Sequence, residues 1–569
     1  MKTRLVFCLV LCAIITAGCG LSFGDTAIGL AVVGAAAAGG GGGDGGGGGV
    51  GGGFGHGPGN VTDPSPEDGA FRVELNVSLS WSPAHLATKY GVYFGTSYPP
   101  PFLGNSTKTN YIPPALSDNT DYYWQVHAYN DFDENWGPIW SFRTGWLSSN
   151  TIYVSESNGS DSNFGKGWDD PLKTIGKAVE MAVDSDIILI ADGIYMGQNN
   201  IDLDFNGKNL WVKSANGPQN CIIDCGAAGR GFYLHSGEGG GTVIDGFKIA
   251  NGLIGDGNGG GIYCYNGSSP VINNCVIKDC TVTRVAGSDL CFGGGIACQV
   301  NSSADIKNSV VFNCTADVGG GISCGYSSNA EIRNCSVTSN VAYDGGGGIS
   351  YGMAQPTIID CIISYNDAPV GAGIRIVGHD DARIWRCFIT HNTSGGGVFI
   401  SNCLDFDLRT CVISHNRNQQ SGGGLYITNG SDGIVCGCTI AYNTADDKGG
   451  GLFTESNGYG IFENTILWGS SSMTNNGHQC YASINSGVPF NLSCYQDGPN
   501  HMIGEIFIFP GCVTGYPNFV DIDNDLQLKY PSECIDAGSD GYLYTNIDIL
   551  GQPRVAGWQV DIGAFEYQQ

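Results

Sequence analysis

From about residue 240 onward, aliphatic, glycine, cysteine and asparagine positions return at a nearly constant interval. The segments GGGIYC, GGGIAC, GGGISC, GGGISY, GAGIRI, GGGVFI, GGGLYI and GGGLFT place Ile262, Ile296, Ile322, Ile349, Ile374, Val398, Leu425 and Leu452 in one column, at spacings of 34, 26, 27, 25, 24, 27 and 27 residues. A second column runs through VINNCVI, DIKNSVV, EIRNCSV, TIIDCII, RIWRCFI, DLRTCVI, IVCGCTI and IFENTIL, and puts Cys275, Ser309, Cys335, Cys361, Cys387, Cys411, Cys438 and Thr465 at one place. Five or six residues later come Cys280, Cys314, Asn340, Asn366, Asn392, Asn416 and Asn443.

Each unit therefore holds two or three short strands of period two, separated by Gly- or Asn-bearing turns. A unit of this size cannot bury its apolar side alone and must stack on its neighbours. Stacked at about 4.8 Å, like residues align: aliphatics and thiols inside, Asn side chains at turns bonding the backbone of the adjacent turn. The pattern predicts an all-β fold, a right-handed single-stranded parallel β-helix of about a dozen turns over residues 147–569. A propeller would need four strands in about 40–45 residues, which these spacings do not supply.

An open coil end is an unpaired strand edge and needs blocking. Residues 151–195 are suited to that. Asp170 and Pro171 read as a helix N-cap and first-turn proline, with Leu172, Ile175 and Val179 on one face, and the strand DIILIADGIY follows. This segment is similar to the amino-terminal cap of pectate-lyase-like extracellular β-helix proteins. Residues from about 510 to 569, with YPNFVDIDNDLQLKYPSECIDAGSD and DILGQPRVAGWQVDIGAFEY, resemble the "choice-of-anchor"-type carboxy-terminal region of bacterial surface β-helix proteins. That resemblance implies an anchored or exported chain and attaches no catalysis to the region. DIDND lacks the glycine and terminal glutamate of an EF-hand and reads as a structural turn.

The chain opens MKTRLVFCLVLCAIITAGCG. A basic start, an apolar run from Leu5 to Ile15 and a small-residue cleavage zone predict a signal peptide over 1–18, too short to span a bilayer as a mature helix. Thr16-Ala17-Gly18-Cys19 resembles the lipobox of bacterial lipoproteins, which implies lipidation of Cys19 and a membrane contact through that anchor alone. Thr16 stands where the lipobox prefers Leu, which keeps plain secretion as the alternative. Residues 20–60 are a tether, since 16 of the 21 residues from Gly39 to Gly59 are glycine and nothing there offsets ordering entropy.

Residues 61–145 carry alternating apolar runs, FRVELNVSLSW, KYGVYFG, YYWQVHAYN and IWSFRT, that read as strands of a small β-sandwich. The segment resembles a fibronectin type III domain. Trp81 matches that family's core tryptophan, and Leu116 and Tyr122 in LSDNTDYYWQVHA match its tyrosine corner. The domain is expected to be a spacer rather than a ligand-binding module.

Composition narrows the function. Glycine accounts for 92 of 569 residues, charged residues for only 14%, and 25 Lys+Arg against 53 Asp+Glu leave a formal net charge of −28. A field of that sign repels phosphate backbones, so nucleic acid is not an expected partner. Of 23 cysteines, Cys8 and Cys12 leave with the signal. Most of the rest fall at interior-looking positions where a thiol acts as a small hydrophobe. Cys221/Cys225 and Cys480/Cys494 are the pairs best placed for local bridges.

Two outward columns carry candidate chemistry. Asp381, Asp405 and Asp432 form a run of three acids flanked by His379 and Arg383, with Asp407 aligned to Arg383 one turn on. Three such charges call for a cation such as Ca²⁺ or for raised pKa values, unless they are turn residues screened by solvent. Tyr365, His391, His415 and Tyr442 form the column before the asparagines and could contact sugar rings. HDDAR is like a fragment of polygalacturonase motifs, but the remaining motifs are absent. The sequence thus points to an exported, surface-anchored, monomeric rod of the bacterial cell envelope that binds polysaccharide or matrix glycan and needs no cofactor. The alternative is an extracellular polysaccharide lyase or glycoside hydrolase acting at Asp381, Asp405, Asp432, Arg383 and His379.

Overall fold

The computed structural model describes residues 58–144, except 74, 76, 118–119 and 131–133, and residues 151–568, except 379 and 543–546. The signal segment, Cys19, most of the tether and His379 lie outside the described residues. The chain divides into two compact units, 1–148 and 149–569.

In the first unit, alternation decides which side chains go inside. Lys89–Gly95 sends Tyr90, Val92 and Phe94 inward, and Asp121–Tyr129 sends Tyr122, Trp124, Val126 and Ala128. With Glu134–Thr144, Ala70–Val73 and Phe102–Ser106 these strands form a five-stranded sheet, and Leu79–Ser80 pairs separately with Asn110–Tyr111. Trp81, Trp124, Trp140, Phe94 and Phe142 fill the space between the sheets. Tyr122 Oη accepts the Ser117 amide at 2.8 Å and pins the crossing between them.

The second unit is a parallel β-helix. Its first face has 14 strands from Thr151–Val154 to Ile506–Ile508, its second 12 from Gly193–Tyr195 to Cys494–Tyr495, and its third 11 from Phe232–Leu234 to Met502–Gly504. Short strands follow the asparagine column, six from Leu253–Gly255 to Thr393–Ser394 and three more beginning at Arg417–Asn418. Registration is residue on residue: Ile358 pairs with Ile384, Ile384 with Leu408 and Leu408 with Val435, all fully buried. Each such aliphatic contributes about 1.5–3 kcal/mol through burial.

The expected columns stand inside. Cys361, Cys387 and Cys411 are at most 1% exposed. Each thiol donates to a main-chain oxygen of its own turn and one of the turn before, as Cys387 does to Trp385 O at 3.2 Å and Ile358 O at 3.5 Å. The asparagines form a continuous chain. Asn392 Oδ1 accepts both the Asn366 amide and Asn366 Nδ2 at 3.0 Å, while Asn392 Nδ2 donates to Ile363 O and to Asn416 Oδ1. The glycine triplets have a steric cause. At Gly422 (φ +76°) a Cβ would fall 2.7 Å from Tyr426 Cβ, and at Gly424 it would fall 2.6 Å from Gly451 O on the next turn.

Three expectations need correction. The helix is Ile175–Met181, capped by Thr174, whose Oγ1 accepts the Lys177 amide at 3.3 Å. Asp170 instead accepts the Phe164 amide, and Leu172 joins the first face beside Val154. The cap forms at Thr174 because Asp161 holds the approach to it, accepting the Lys173 and Thr174 amides at 3.0 and 2.9 Å. The suggested cysteine pairs are not bridges: Cys221, Cys225, Cys480 and Cys494 are free and buried, with Cys480 on the third face and Cys494 on the second.

Beyond Val513, which still bridges to Cys494, the chain runs along the second face. Phe519, Leu526, Leu528, Ile549, Ile562 and Phe565 pack against Val412, Ala441 and Ile466. DIDND is the turn of the hairpin Phe519–Asp521/Asp525–Leu528, closed by Asp521 accepting the Asp523 amide at 3.0 Å. Arg554 is buried in this region among Asp548, Asp561 and Glu566, whose carboxylates accept backbone amides. Burial pushes Asp561 up to about 6 and Glu566 to about 7.

Candidate functional site: the outer columns of the coil

The bend between the second face and the asparagine column is made by one left-handed residue per turn. Tyr365, His391, His415 and Tyr442 hold it at φ 57°, 56°, 55° and 55°. That conformation turns each side chain out of the coil at the same place, so the rings meet. Tyr365 and His391 centroids lie 5.0 Å apart with planes at 20°, His391 and His415 5.1 Å at 8°, and His415 and Tyr442 5.5 Å at 20°. All four predicted residues are thus brought together as one stack. Burial lowers the His391 pKa, helped by His415, and burial also lowers that of His415 against the pull of Asp523. Neutral imidazoles suit a stack of this kind. The inner rings have both faces covered by neighbours, Phe519 closes edge-on over Tyr442 at 6.1 Å, and Tyr365 is the most open member at 45% exposure.

The acid column lies at the bend between the third and first faces. Asp381 and Asp405 are also left-handed, at φ 62° and 56°, and Asp432 begins the strand Asp432–Cys436. Arg383 grips Asp381 through Nε at 3.2 Å and a terminal nitrogen at 3.1 Å, with both side chains about half exposed. Asp405 and Asp432 are exposed. Burial and then Asp405 raise the Asp432 carboxyl pKa. Arg383 and Asp407 are register partners as expected, but Asp407 binds Arg409 Nε at 2.5 Å and Trp385 Nε1 at 3.2 Å. Among the described residues, no group of three or more His, Cys, Asp or Glu is placed to hold a metal ion.

Two features escaped the sequence. Phe399, Tyr426, Phe453 and Tyr481 form an outward column on the third face, with ring centroids 4.9–5.8 Å apart. Their spacing of one repeat was the available signal. A cleft of about 620 Å³ opens between the helix and residues 198–206, lined by Asp161, Lys177, Glu180, Asp202, Asp204 and Asn206 among others. Burial and the nearby Glu238 raise the Asp204 pKa. Only the tertiary placement of the helix creates this cleft.

Faces, bends and inward ladders together define a right-handed parallel β-helix whose side chains are displayed in vertical columns. Residues 187–361 and 347–490 match the right handed beta helix region family and together span more than half of the chain, which belongs to that family. No curated protein matches it. Among solved structures it is similar to a complex of XylC with xylose (12% identity, TM-score 0.42, covering 74% of this chain and 99% of that one). It is also similar to pectate lyase Pel9A (13%, 0.31, 74% and 97%) and to a family 28 exopolygalacturonase from Yersinia enterocolitica (10%, 0.29, 80% and 100%).

Proposed function

We propose that this chain is an exported rod, held at the bacterial cell surface through Cys19, that contacts polysaccharide or matrix glycan without cleaving it. The observation that carries this reading is the condition of the acid column. Acid–base cleavage of a glycosidic bond needs two carboxyl groups flanking the bond, one of them free to give a proton. Here Asp381 is ion-paired to Arg383, and Asp405 and Asp432, although Asp405 helps to raise the Asp432 pKa, stand exposed at a bend rather than enclosed on either side of a bound sugar. Glycan contact would fall on the outward columns, with Tyr365 the accessible end of the ring stack. The protein acts as a monomer in this reading, requires no cofactor and does not bind nucleic acid.

The test is incubation of the purified protein with uronate-containing and neutral glycans, with and without Ca²⁺. Both product formation and retention on the immobilised glycan are read. Retention without unsaturated or reducing-end product supports the proposal. Product that requires Asp405 or Asp432 replaces it with the lyase or hydrolase alternative.

A further inference from the structure

The outer face of the first unit's sheet departs from the usual rule. An antiparallel sheet with one solvated face carries polar residues outside. Here the outward positions of four adjacent strands carry rings. Tyr93 lies between Phe102 on one neighbouring strand and Gln125 on the other, and His127 is paired with Trp136 one strand further. Tyr93 and Phe102 centroids are 5.2 Å apart, Tyr93 and Trp136 5.0 Å, and Trp136 lies over His127 at 3.9 Å and 14°. Phe102 is 53% exposed and Trp136 49%. Rings left this open contribute little to the core, which Trp124, Trp140 and Phe94 already fill.

Charge and geometry select the occupant. Glu134 reaches the strip, its carboxylate 3.4 Å from Nε2 of His127, the ring stacked on Trp136. Lys89 and Glu134 stand at one end, and the Asp121–Arg143 pair, 3.1 Å apart, at the other. A chain of net charge −28 repels uronate polymers, and the strip has no row of cations to draw them in. Successive ring planes are tilted by 49° and 67°, so the rings meet tilted and edge-on rather than as one flat platform. A row of rings about one sugar apart, each at its own tilt, fits successive pyranoses of one flexible chain rather than a flat crystalline surface. Asn105 and Gln125 lie beside it to meet hydroxyl groups.

We propose that Trp136, Tyr93 and Phe102 form a binding strip for a single neutral polysaccharide chain, making the sandwich the glycan-binding module rather than a spacer. This site is separate from the β-helix columns, so either proposal can fail alone.

The test is native affinity electrophoresis of the full mature chain in gels containing hydroxyethylcellulose, xyloglucan or galactomannan, with polygalacturonate as the anionic control. The expected result is retardation by at least one neutral polymer and none by polygalacturonate. Trp136→Ala and Tyr93→Ala should weaken retardation at least tenfold, and Trp136→Phe should keep part of it. All three side chains point away from the core, so melting temperatures should stay near that of the parent. No retardation by any neutral polymer, equal retardation of the alanine variants, or loss only of self-association in Trp136→Ala would each overturn the proposal.

Discussion

His391 and His415 lie ring over ring, centroids 5.1 Å apart and planes 8° from parallel, on successive turns of the coil. Only exact registry between turns puts two imidazoles there, and the same registry sets their response to pH. Burial holds both below the ordinary histidine pKa. The unfolded chain therefore binds more protons as pH drops through about 6.5, and stability present above that value is lost below it. Between pH 7.5 and 5 the β-helix should lose roughly 1–3 °C in Tm through this pair. His391→Phe/His415→Phe should lessen that loss in a melting series, whereas an unchanged slope would contradict it.

Asn392 bonds to both neighbouring turns. Asn392→Ala removes the acceptor of the Asn366 amide and of Asn366 Nδ2 and leaves buried donors unmet. Each such group costs about 1–3 kcal/mol. Urea denaturation should show a loss of about 2–5 kcal/mol, with new proteolytic cutting near residues 366 and 416.

The interior thiols should be chemically silent. Burial pushes Cys361, Cys387 and Cys411 well above the ordinary thiol pKa, and a thiol rather than a thiolate is a poor nucleophile. Among the described cysteines, Cys512 alone is incompletely buried. Iodoacetamide on the native protein should modify Cys512 first and the others only after denaturation, as mass spectrometry would show. Reducing agent should leave Tm unchanged.

Arg554 is the cation among Asp548, Asp561 and Glu566. Burial raises Asp561 to about 6 and Glu566 to about 7, so the folded segment binds protons that the unfolded one releases. Its stability is full below the ordinary carboxyl range and falls as pH rises through 6 and 7. Arg554→Met should cost about 3–5 kcal/mol at pH 8, because the remaining charges are buried without their partner. The loss should be smaller at pH 5. Hydrogen exchange of residues 548–566 measures both.

The coil was legible because its repeat is its physics: Cys361, Cys387 and Cys411 recur about every 26 residues, and one turn of chain returns them to the same point inside. Tyr365, His391, His415 and Tyr442 were legible for the same reason, although the sequence could not say that their faces would be spent on one another. The cap at Thr174 was missed because Asp170–Pro171 is the stronger local signal. Asp161, thirteen residues before Thr174, decides the matter through long-range hydrogen bonds. In YYWQVHAY every position but Gln125 is apolar or aromatic, so alternation alone could not show that Tyr123 and Tyr129 face outward. The fate of Asp381 was equally hidden, since spacing aligned it with Asp405 and only the side-chain geometry gave it to Arg383.

Turnover is the most direct test. The purified chain, Arg383→Ala, which releases Asp381, and Asp405→Asn/Asp432→Asn would be followed for unsaturated and reducing-end products on the same glycans that retain the protein. No product from any of the three is the predicted result. Product from the parent that vanishes in the double aspartate variant would contradict a rod that binds without cutting.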